Sequence, residues 1–286
     1  MDDISVSKSN YGNVVVLNIK APPVADTSLP SFPPTSPPLF SVHFFQKLIA
    51  ELVGTYYLIF AGCAAIAVNA QHHNAVTLVG IAMVWGIVIM VLVYTLGHTS
   101  AHFNPAVTIA LASTQRFPLN QVPAYIAVQV IGSTLASATL RLLFDLNNDV
   151  CSKKHDVFLG SSPSGTDLQA FVMEFIITGF LMLVVCAVTT AKRTTDELEG
   201  LIIGATVTLN VIFAGEVSGA SMNPARSIGP ALVWGCYKGI WIYLLAPTLG
   251  AVSAALIYKL LPSTQKADAD FSKTGSSHKR VTDLPV

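Results

Sequence analysis

Charged side chains are scarce in this chain of 286 residues: Asp, Glu, Lys and Arg make up 11% of it, and the two signs balance to a net charge of zero. Soluble domains usually carry about 25% charged residues. The low content argues against an ordinary soluble domain, and the absence of net positive charge offers no surface for nucleic acid. Hydrophobic residues reach 52%, so the sequence predicts a polytopic membrane protein.

Motifs of enzymes, pumps and metal sites are also missing. The four cysteines, Cys63, Cys151, Cys186 and Cys236, lack C-x-x-C or paired spacing, so we expect buried thiols and neither a metal site nor a disulfide framework. No G-x-x-x-x-G-K-[ST] loop is present, which argues against an ATP-driven pump. No Ser-His-Asp, Cys-His or metal-ligand cluster falls at matched depth, so we expect no catalytic residues, no cofactor and no enzyme.

Long apolar segments occupy the middle of the chain, between two polar ends. Residues 1–42 include SerPheProProThrSerProPro at 31–38 and lack both a signal-peptide core and helical periodicity, which predicts a disordered tail. The membrane domain is placed at 43–262, followed by a second tail at 263–286. Six segments have about the ~20 residues that a spanning helix needs: 44–69, 77–97, 121–144, 168–191, 199–216 and 239–261.

Two copies of Asn-Pro-Ala are present, Asn104-Pro105-Ala106 and Asn223-Pro224-Ala225. Proline is favoured at the first position of a helix, and Asn is a good N-cap. Each copy therefore predicts a helix N-terminus. The apolar stretches that follow, about 104–114 and 223–233, are too short to span a bilayer and are predicted to be half-helices.

The two halves of the membrane domain repeat. Glu51, four residues before Thr55, matches Glu174, four residues before Thr178. Each half, about 43–145 and about 168–262, holds three spans and one half-helix. An odd number of spans inserts the second half upside down, which places the working site at the midplane. The predicted fold is an all-α membrane protein with six transmembrane helices and two re-entrant half-helices in an inverted repeat.

The distribution of Lys and Arg predicts the orientation. With both termini inside, the inner segments and tails carry more of these residues than the outer loops. Because positively charged residues favour the cytoplasmic side, we expect both termini in the cytoplasm.

Three residues carry the predicted pore chemistry. The amides of Asn104 and Asn223 offer N–H donors, and the two helix N-termini add positive potential at the same place. Together they would oppose cations and interrupt a proton wire; the alternative is that both residues only cap helices. Arg226 lies in an apolar segment, where a charge is costly and by default functional. It would line a constriction, and the alternative is a side chain that snorkels to the surface.

Four other polar residues leave alternatives open. Glu51 and Glu174 would serve as proton relays in a coupled transporter, but their symmetric placement favours a structural role as anchors of the re-entrant loops. His98 and His102 flank the approach to the first motif. They are candidates for gating the inner mouth by titration, or else they are loop histidines bonded to backbone.

With these motifs the chain resembles the aquaporin, or major intrinsic protein, family from about residue 44 to 261. The segments 116–125, 140–144 and 239–247 resemble its plant nodulin-26-like subfamily. The resemblance implies a homotetramer in the lipid bilayer with one pore per subunit. It also implies regulation in the tails, with Ser276, Ser277 and Thr282 as candidate phosphorylation sites. The plasma membrane is favoured as the location, with the endoplasmic reticulum membrane as the alternative.

The resemblance further implies an aromatic/arginine selectivity filter of Trp85, Val211, Ala220 and Arg226. Water-selective members usually carry His where this chain has Val211. Valine and alanine would open an amphipathic slot for small uncharged solutes: glycerol-like polyols, undissociated hydroxy acids such as lactic acid, metalloid acids and some water. The alternatives are a channel mainly for water and, from another class, a gradient-coupled secondary transporter.

One segment departs from the family pattern. Relatives usually have His-Ile-Ser-Gly-Ala/Gly-His before the first Asn-Pro-Ala, whereas this chain has the shorter HisThrSerAlaHis at 98–102. The missing residue removes a glycine, which commonly adopts a positive φ. We therefore expect the chain to enter the first half-helix differently from the second.

Overall fold

The protein was analysed as a computed structural model that describes residues 6–11, 14–19, 41–144, 158–190 and 196–261. The chain divides into two compact units, residues 1–37 and 38–286. The predicted C-terminal tail, with Ser276, Ser277 and Thr282, lies outside the described residues, as does Cys151.

The N-terminal unit contains a β-hairpin. Strands β1 (Val6–Tyr11) and β2 (Val14–Ile19) pair antiparallel, with Val6 opposite Ile19 and Tyr11 opposite Val14. This differs from the expected disordered tail. In the sequence, Gly12 and Asn13 separate the two Val-containing segments, and a two-residue link of this type favours a hairpin. The proline content of residues 31–38 obscured this local signal.

The secondary structure of the second unit consists of helices joined by loops, over its described residues. Among the described residues, six helices are long and apolar enough to cross a membrane, and each lies within two residues of its predicted bounds. They are α1 (Val42–Gln71), α2 (Thr77–Leu96), α4 (Val122–Leu143), α5 (Asp167–Thr190), α6 (Glu199–Ser218) and α8 (Ile240–Leu260). The two half-helices are α3 (Pro105–Ser113) and α7 (Pro224–Trp234). Short 3-10 turns precede α4 and α6. The all-α membrane fold is confirmed.

The packing follows the repeat. Within the first half α1 contacts α2 and α4, and within the second half α5 contacts α6 and α8 in the same way. Across the halves, α2 packs on α6, and each half-helix packs on the last helix of the other half, α3 on α8 and α7 on α4. Each half-helix is therefore held by both halves, which fixes where the two Asn-Pro-Ala segments meet.

Candidate functional site

The N-termini of the half-helices meet through a pair of reciprocal hydrogen bonds. Asn104 Nδ2 donates to the carbonyl of Met222 at 2.7 Å, and Asn223 Nδ2 donates to the carbonyl of Phe103 at 2.8 Å. The Oδ1 atoms cap their own helices, accepting from the N–H of Ala106 and of Ala225. Since each amide has two N–H groups, one N–H of each asparagine stays available to the cavity that both residues line.

The residue before each asparagine has a left-handed backbone conformation. Phe103 has φ +50° and Met222 has φ +54°, a region costly for side chains with a Cβ. The buried carboxylates stabilise both turns: Phe103 N donates to Glu51 Oε2 at 2.7 Å, and Met222 N donates to Glu174 Oε2 at 2.8 Å. The backbone donors of both loops thus end on carboxylates within the fold, as a loop at membrane depth requires.

The second oxygen of each carboxylate repeats the pattern one residue earlier. Glu51 Oε1 accepts from His102 N at 2.7 Å, and Glu174 Oε1 accepts from Ser221 N at 2.8 Å. Gln129 Nε2 on α4 also donates to Glu51 Oε2, at 2.8 Å. Both carboxylates are fully buried within these contacts.

The shortened approach to the first motif preserves the serine contact. Ser100, four residues before Asn104, lies 2.6 Å from Glu51 Oε1. Ser218, five residues before Asn223, lies 2.7 Å from Glu174 Oε1. The extra residue of the second loop is Gly219, whose φ of +80° suits glycine. The first loop omits this turn and still reaches its carboxylate, so the difference lies in the chain path between serine and motif.

The two halves also share a contact made by a tyrosine, and neither tyrosine was predicted from the sequence as a site residue. Tyr125, near the start of α4, has its hydroxyl 3.1 Å from the Ser100 hydroxyl. Tyr243, at the matching place in α8, donates to the carbonyl of Ser218 at 2.7 Å. Their equal distance from the start of equivalent helices was a detectable signal of the repeat.

A cavity of about 1030 Å³ runs past the meeting point of the half-helices. Its lining includes both motif asparagines, both histidines and all four predicted filter residues: Asn104, Asn223, His98, His102, Trp85, Val211, Ala220 and Arg226. Val107, which occupies in α3 the place that Arg226 occupies in α7, lines it as well. The structure therefore brings the predicted residues to one cavity, with the arginine in one half only.

Two contacts hold the Arg226 side chain. Its guanidinium carbon lies 5.3 Å from the centroid of the Trp85 ring, within the range of a cation–π interaction. Its Nη1 donates to the carbonyl of Leu159 at 3.0 Å. Leu159 is fully buried in the segment before α5. Sequence analysis missed Leu159, because a backbone carbonyl leaves no side-chain signature.

Gly62 on α1 makes room for the indole of Trp85. A Cβ on Gly62 would overlap the atoms of that ring. The position of Trp85 in the cavity therefore requires glycine at position 62 of α1, because a larger side chain would occupy the space of the ring.

The two histidines occupy different surroundings. His98 is exposed, whereas His102 packs its ring 4.9 Å from Phe117 and 5.2 Å from Tyr125, measured between ring centroids. His102 Nδ1 lies 3.1 Å from Thr108 Oγ1. His102 is therefore held by two aromatic rings and a threonine hydroxyl, whereas the side chain of His98 is exposed.

The cysteines separate into two classes. Cys63 and Cys186 are buried free thiols, as expected. Cys236, which follows α7, is part of a disulfide bond, so the expectation of a thiol is wrong there. Sequence spacing could not reveal a pairing that the fold brings about.

Comparison with known proteins identifies the arrangement. The family profile described as Major intrinsic protein matches residues 39–258. The chain belongs to the major intrinsic protein family. Aquaporin NIP2-1 of Arabidopsis thaliana is 88% identical over the full length of both chains, and Nodulin-26 of Glycine max is 59% identical over 83% of this chain and 86% of that protein. These matches confirm the nodulin-26-like subfamily.

A solved structure supports the fold. The aquaglyceroporin from Plasmodium falciparum superposes with a TM-score of 0.65 at 24% identity, covering 76% of this chain and 96% of that one. The family member described here is a multi-pass membrane channel for water and small solutes, since its relatives are aquaporin channels and not enzymes.

Proposed function

We propose that this aquaporin is a passive channel for small uncharged solutes. They comprise glycerol-like polyols, undissociated hydroxy acids such as lactic acid, metalloid acids and some water. The observation that carries the proposal is the composition of the filter region. Val211 and Ala220 contribute aliphatic surface to the same cavity in which Arg226 lies against the Trp85 ring. A solute with a carbon side and a hydroxyl side matches such a lining, because indole and valine pack against carbon while the guanidinium donates to oxygen.

Exclusion of ions and protons is assigned to the motif asparagines and to Arg226. Two helix N-termini meet where the free amide N–H groups of Asn104 and Asn223 line the cavity. Free N–H donors beside two helix N-termini orient a passing water by its oxygen and disfavour cations. The charge of Arg226 adds to this barrier.

The carboxylates support a channel over a gradient-coupled transporter. Among the described residues of the second unit, Glu51 and Glu174 are the fully buried carboxylates. Their oxygens accept hydrogen bonds from backbone N–H groups of the two loops. A proton-coupled cycle would have to break these bonds in each turnover and release both left-handed turns. We therefore assign Glu51 and Glu174 to anchoring the loops.

Orientation and assembly complete the proposal. Disulfides persist in oxidising compartments, so the bond at Cys236 favours an extracytoplasmic location for the end of α7. The chain then has both termini in the cytoplasm, as the Lys and Arg distribution indicates. We propose a homotetramer in the plasma membrane, with His98 and His102 as candidate gating residues at the inner mouth and Ser276, Ser277 and Thr282 as candidate phosphorylation sites.

A flux assay in proteoliposomes tests the solute class. Light scattering would record swelling in glycerol and in lactic acid at pH 5 and pH 7, beside protein-free vesicles. Carboxylic acids titrate near pH 4, so the neutral fraction falls about 100-fold between these values. We expect lactic acid flux to fall with that fraction while glycerol flux stays constant. Water permeability without glycerol flux would favour the water channel, and saturable flux abolished by collapsing a proton gradient would favour the transporter.

A further inference from the structure

The thiol of Cys63 contacts the same carbonyl that holds the filter arginine. Cys63 Sγ donates to the carbonyl of Leu159 at 3.3 Å, and Arg226 Nη1 donates to the same oxygen at 3.0 Å. Cys63 and Leu159 are fully buried, and Arg226 is almost so. A carbonyl oxygen has two lone pairs, so both acceptor sites of this oxygen are occupied by the protein.

The neighbouring residue on α1 contacts the other support of the arginine. Gly62 leaves the space that the Trp85 ring fills, and that ring lies against the Arg226 guanidinium. Two consecutive residues of α1 thus act on the two partners of one side chain. Neither Gly62 nor Cys63 belongs to the set of filter residues that line the cavity.

We propose that Cys63 is a positioning residue of the selectivity filter. Its thiol fixes the Leu159 carbonyl, and through that carbonyl it fixes the height and direction of the Arg226 guanidinium. The inference rests on the proposed solute channel, because it concerns the discrimination between solutes at that filter. Cys186, the other buried free thiol among the described residues, lies on α5.

Removal of the Cys63 thiol is expected to change the selectivity of the channel more than its total flux. Without the thiol donor, the Leu159 carbonyl accepts one hydrogen bond fewer and is held less firmly. The Arg226 guanidinium, which donates to that carbonyl, then gains freedom to move. A mobile arginine admits wider solutes and discriminates less between them. The loss of one weak hydrogen bond corresponds to a change of about two- to fivefold in a ratio of permeabilities.

The test compares the isosteric variants Cys63→Thr and Cys63→Val in the full chain, reconstituted in proteoliposomes. Threonine keeps a hydroxyl donor, and valine has the same shape without one. The measured quantity is the ratio of glycerol permeability to erythritol permeability, which is independent of the number of channels inserted. Cys63→Ser and Cys63→Ala repeat the comparison with smaller side chains, and Cys186→Ala is the matched control for removing a buried thiol.

We expect Val and Ala at position 63 to lower the ratio about two- to fivefold, while Thr, Ser and Cys186→Ala keep the ratio of the parent. Equal ratios for Thr and Val would show that shape, not the donor, matters and would overturn the inference. An unchanged ratio in Cys63→Val would overturn it too. If the parent protein passes no glycerol above protein-free vesicles, the proposed solute channel fails first, which distinguishes the two failures.

Discussion

Asn104 donates its side-chain N–H to the carbonyl of Met222 at 2.7 Å, across the junction of two half-helices that are far apart in sequence. Asn223 returns the contact to Phe103 at 2.8 Å. The asparagines therefore do three things at once: they cap their own helices, join the two halves and keep one N–H for the cavity. Both asparagines thus cap their helices and also line the cavity, so a capping role does not exclude the predicted role in the pore.

Asn104→Asp tests the joining contact. The substituted oxygen faces the Met222 carbonyl where a donor stood, so an attraction becomes a repulsion, and the buried carbonyl loses its partner. We expect the free energy of unfolding to fall by about 1–3 kcal/mol and glycerol flux per channel to fall as the junction opens. Thermal unfolding of the purified protein and proteoliposome swelling measure the two effects. Asn120→Asp, at an exposed site before α4, is the control; equal Tm values for both variants would contradict the role of the contact.

Glu174→Gln tests the anchoring of the second loop. The carboxylate accepts from Ser218 Oγ, Ser221 N and Met222 N, and a carboxamide replaces one acceptor oxygen with a donor. At least one buried donor is left without a partner, which costs about 1–3 kcal/mol. We expect a lower Tm and a reduced yield of folded channel.

Glu216→Gln is the matched control for that change, because Glu216 is exposed on α6. It should leave the Tm within error of the parent. If the protein were a proton-coupled transporter, the Glu174→Gln variant would keep the Tm of the parent and lose the response of its flux to a proton gradient. That outcome would contradict the assignment of Glu174 to anchoring the loop.

Much of the fold follows from sequence because the physical signals are local. Spanning helices need ~20 apolar residues, and the observed helices match those runs. The half-helices begin at Pro105 and Pro224, as the Asn-Pro pairs indicate. The hairpin at Val6–Ile19 has only a short local signal in the sequence, the Gly12-Asn13 link, within a segment whose overall composition favours disorder.

The residues that hold the predicted filter side chains in place could not be identified from the sequence. Trp85 and Arg226 carry side chains that mark them in the sequence, whereas Leu159 contributes only its carbonyl and Gly62 contributes the lack of a side chain. Such roles come from tertiary proximity. The disulfide at Cys236 was unpredictable for the same reason, because the fold and not the sequence spacing brings its atoms into place.

Gly62→Ala tests the space behind Trp85. A methyl group at this position overlaps the indole, so the ring or α1 has to move, at a cost of about 1–3 kcal/mol for overpacking. We expect lower glycerol flux per channel because the displaced ring enters the solute path. The double variant Gly62→Ala/Trp85→Phe should recover part of that flux, since the smaller ring leaves room for the methyl group.

Gly179→Ala on α5 is the control for adding a methyl group to a membrane helix. There the nearest atom, the carbonyl oxygen of Gly250, would lie at 3.4 Å, an ordinary contact. It should retain parental flux. If Gly62→Ala also does so, the indole is not confined by α1 and the position assigned to Trp85 is wrong.

Val211→His tests the assignment of the filter to solute choice. The imidazole fills the aliphatic side of the cavity next to Arg226 and adds a hydrogen-bonding group that water can use. We expect the ratio of glycerol to water permeability to fall by about tenfold, the scale of a one-group mismatch in an apolar slot. Stopped-flow light scattering of the same vesicles gives both permeabilities.

Val211→Leu separates bulk from polarity at that position. Leucine narrows the slot without offering a hydrogen bond, so it should reduce water and glycerol permeability together, while histidine spares water. A glycerol-to-water ratio unchanged in Val211→His would place the discriminating step elsewhere. The shortened entry at Ser100–Phe103 would then be the next segment to test, because it differs in chain path from Ser218–Met222 and lines the same cavity.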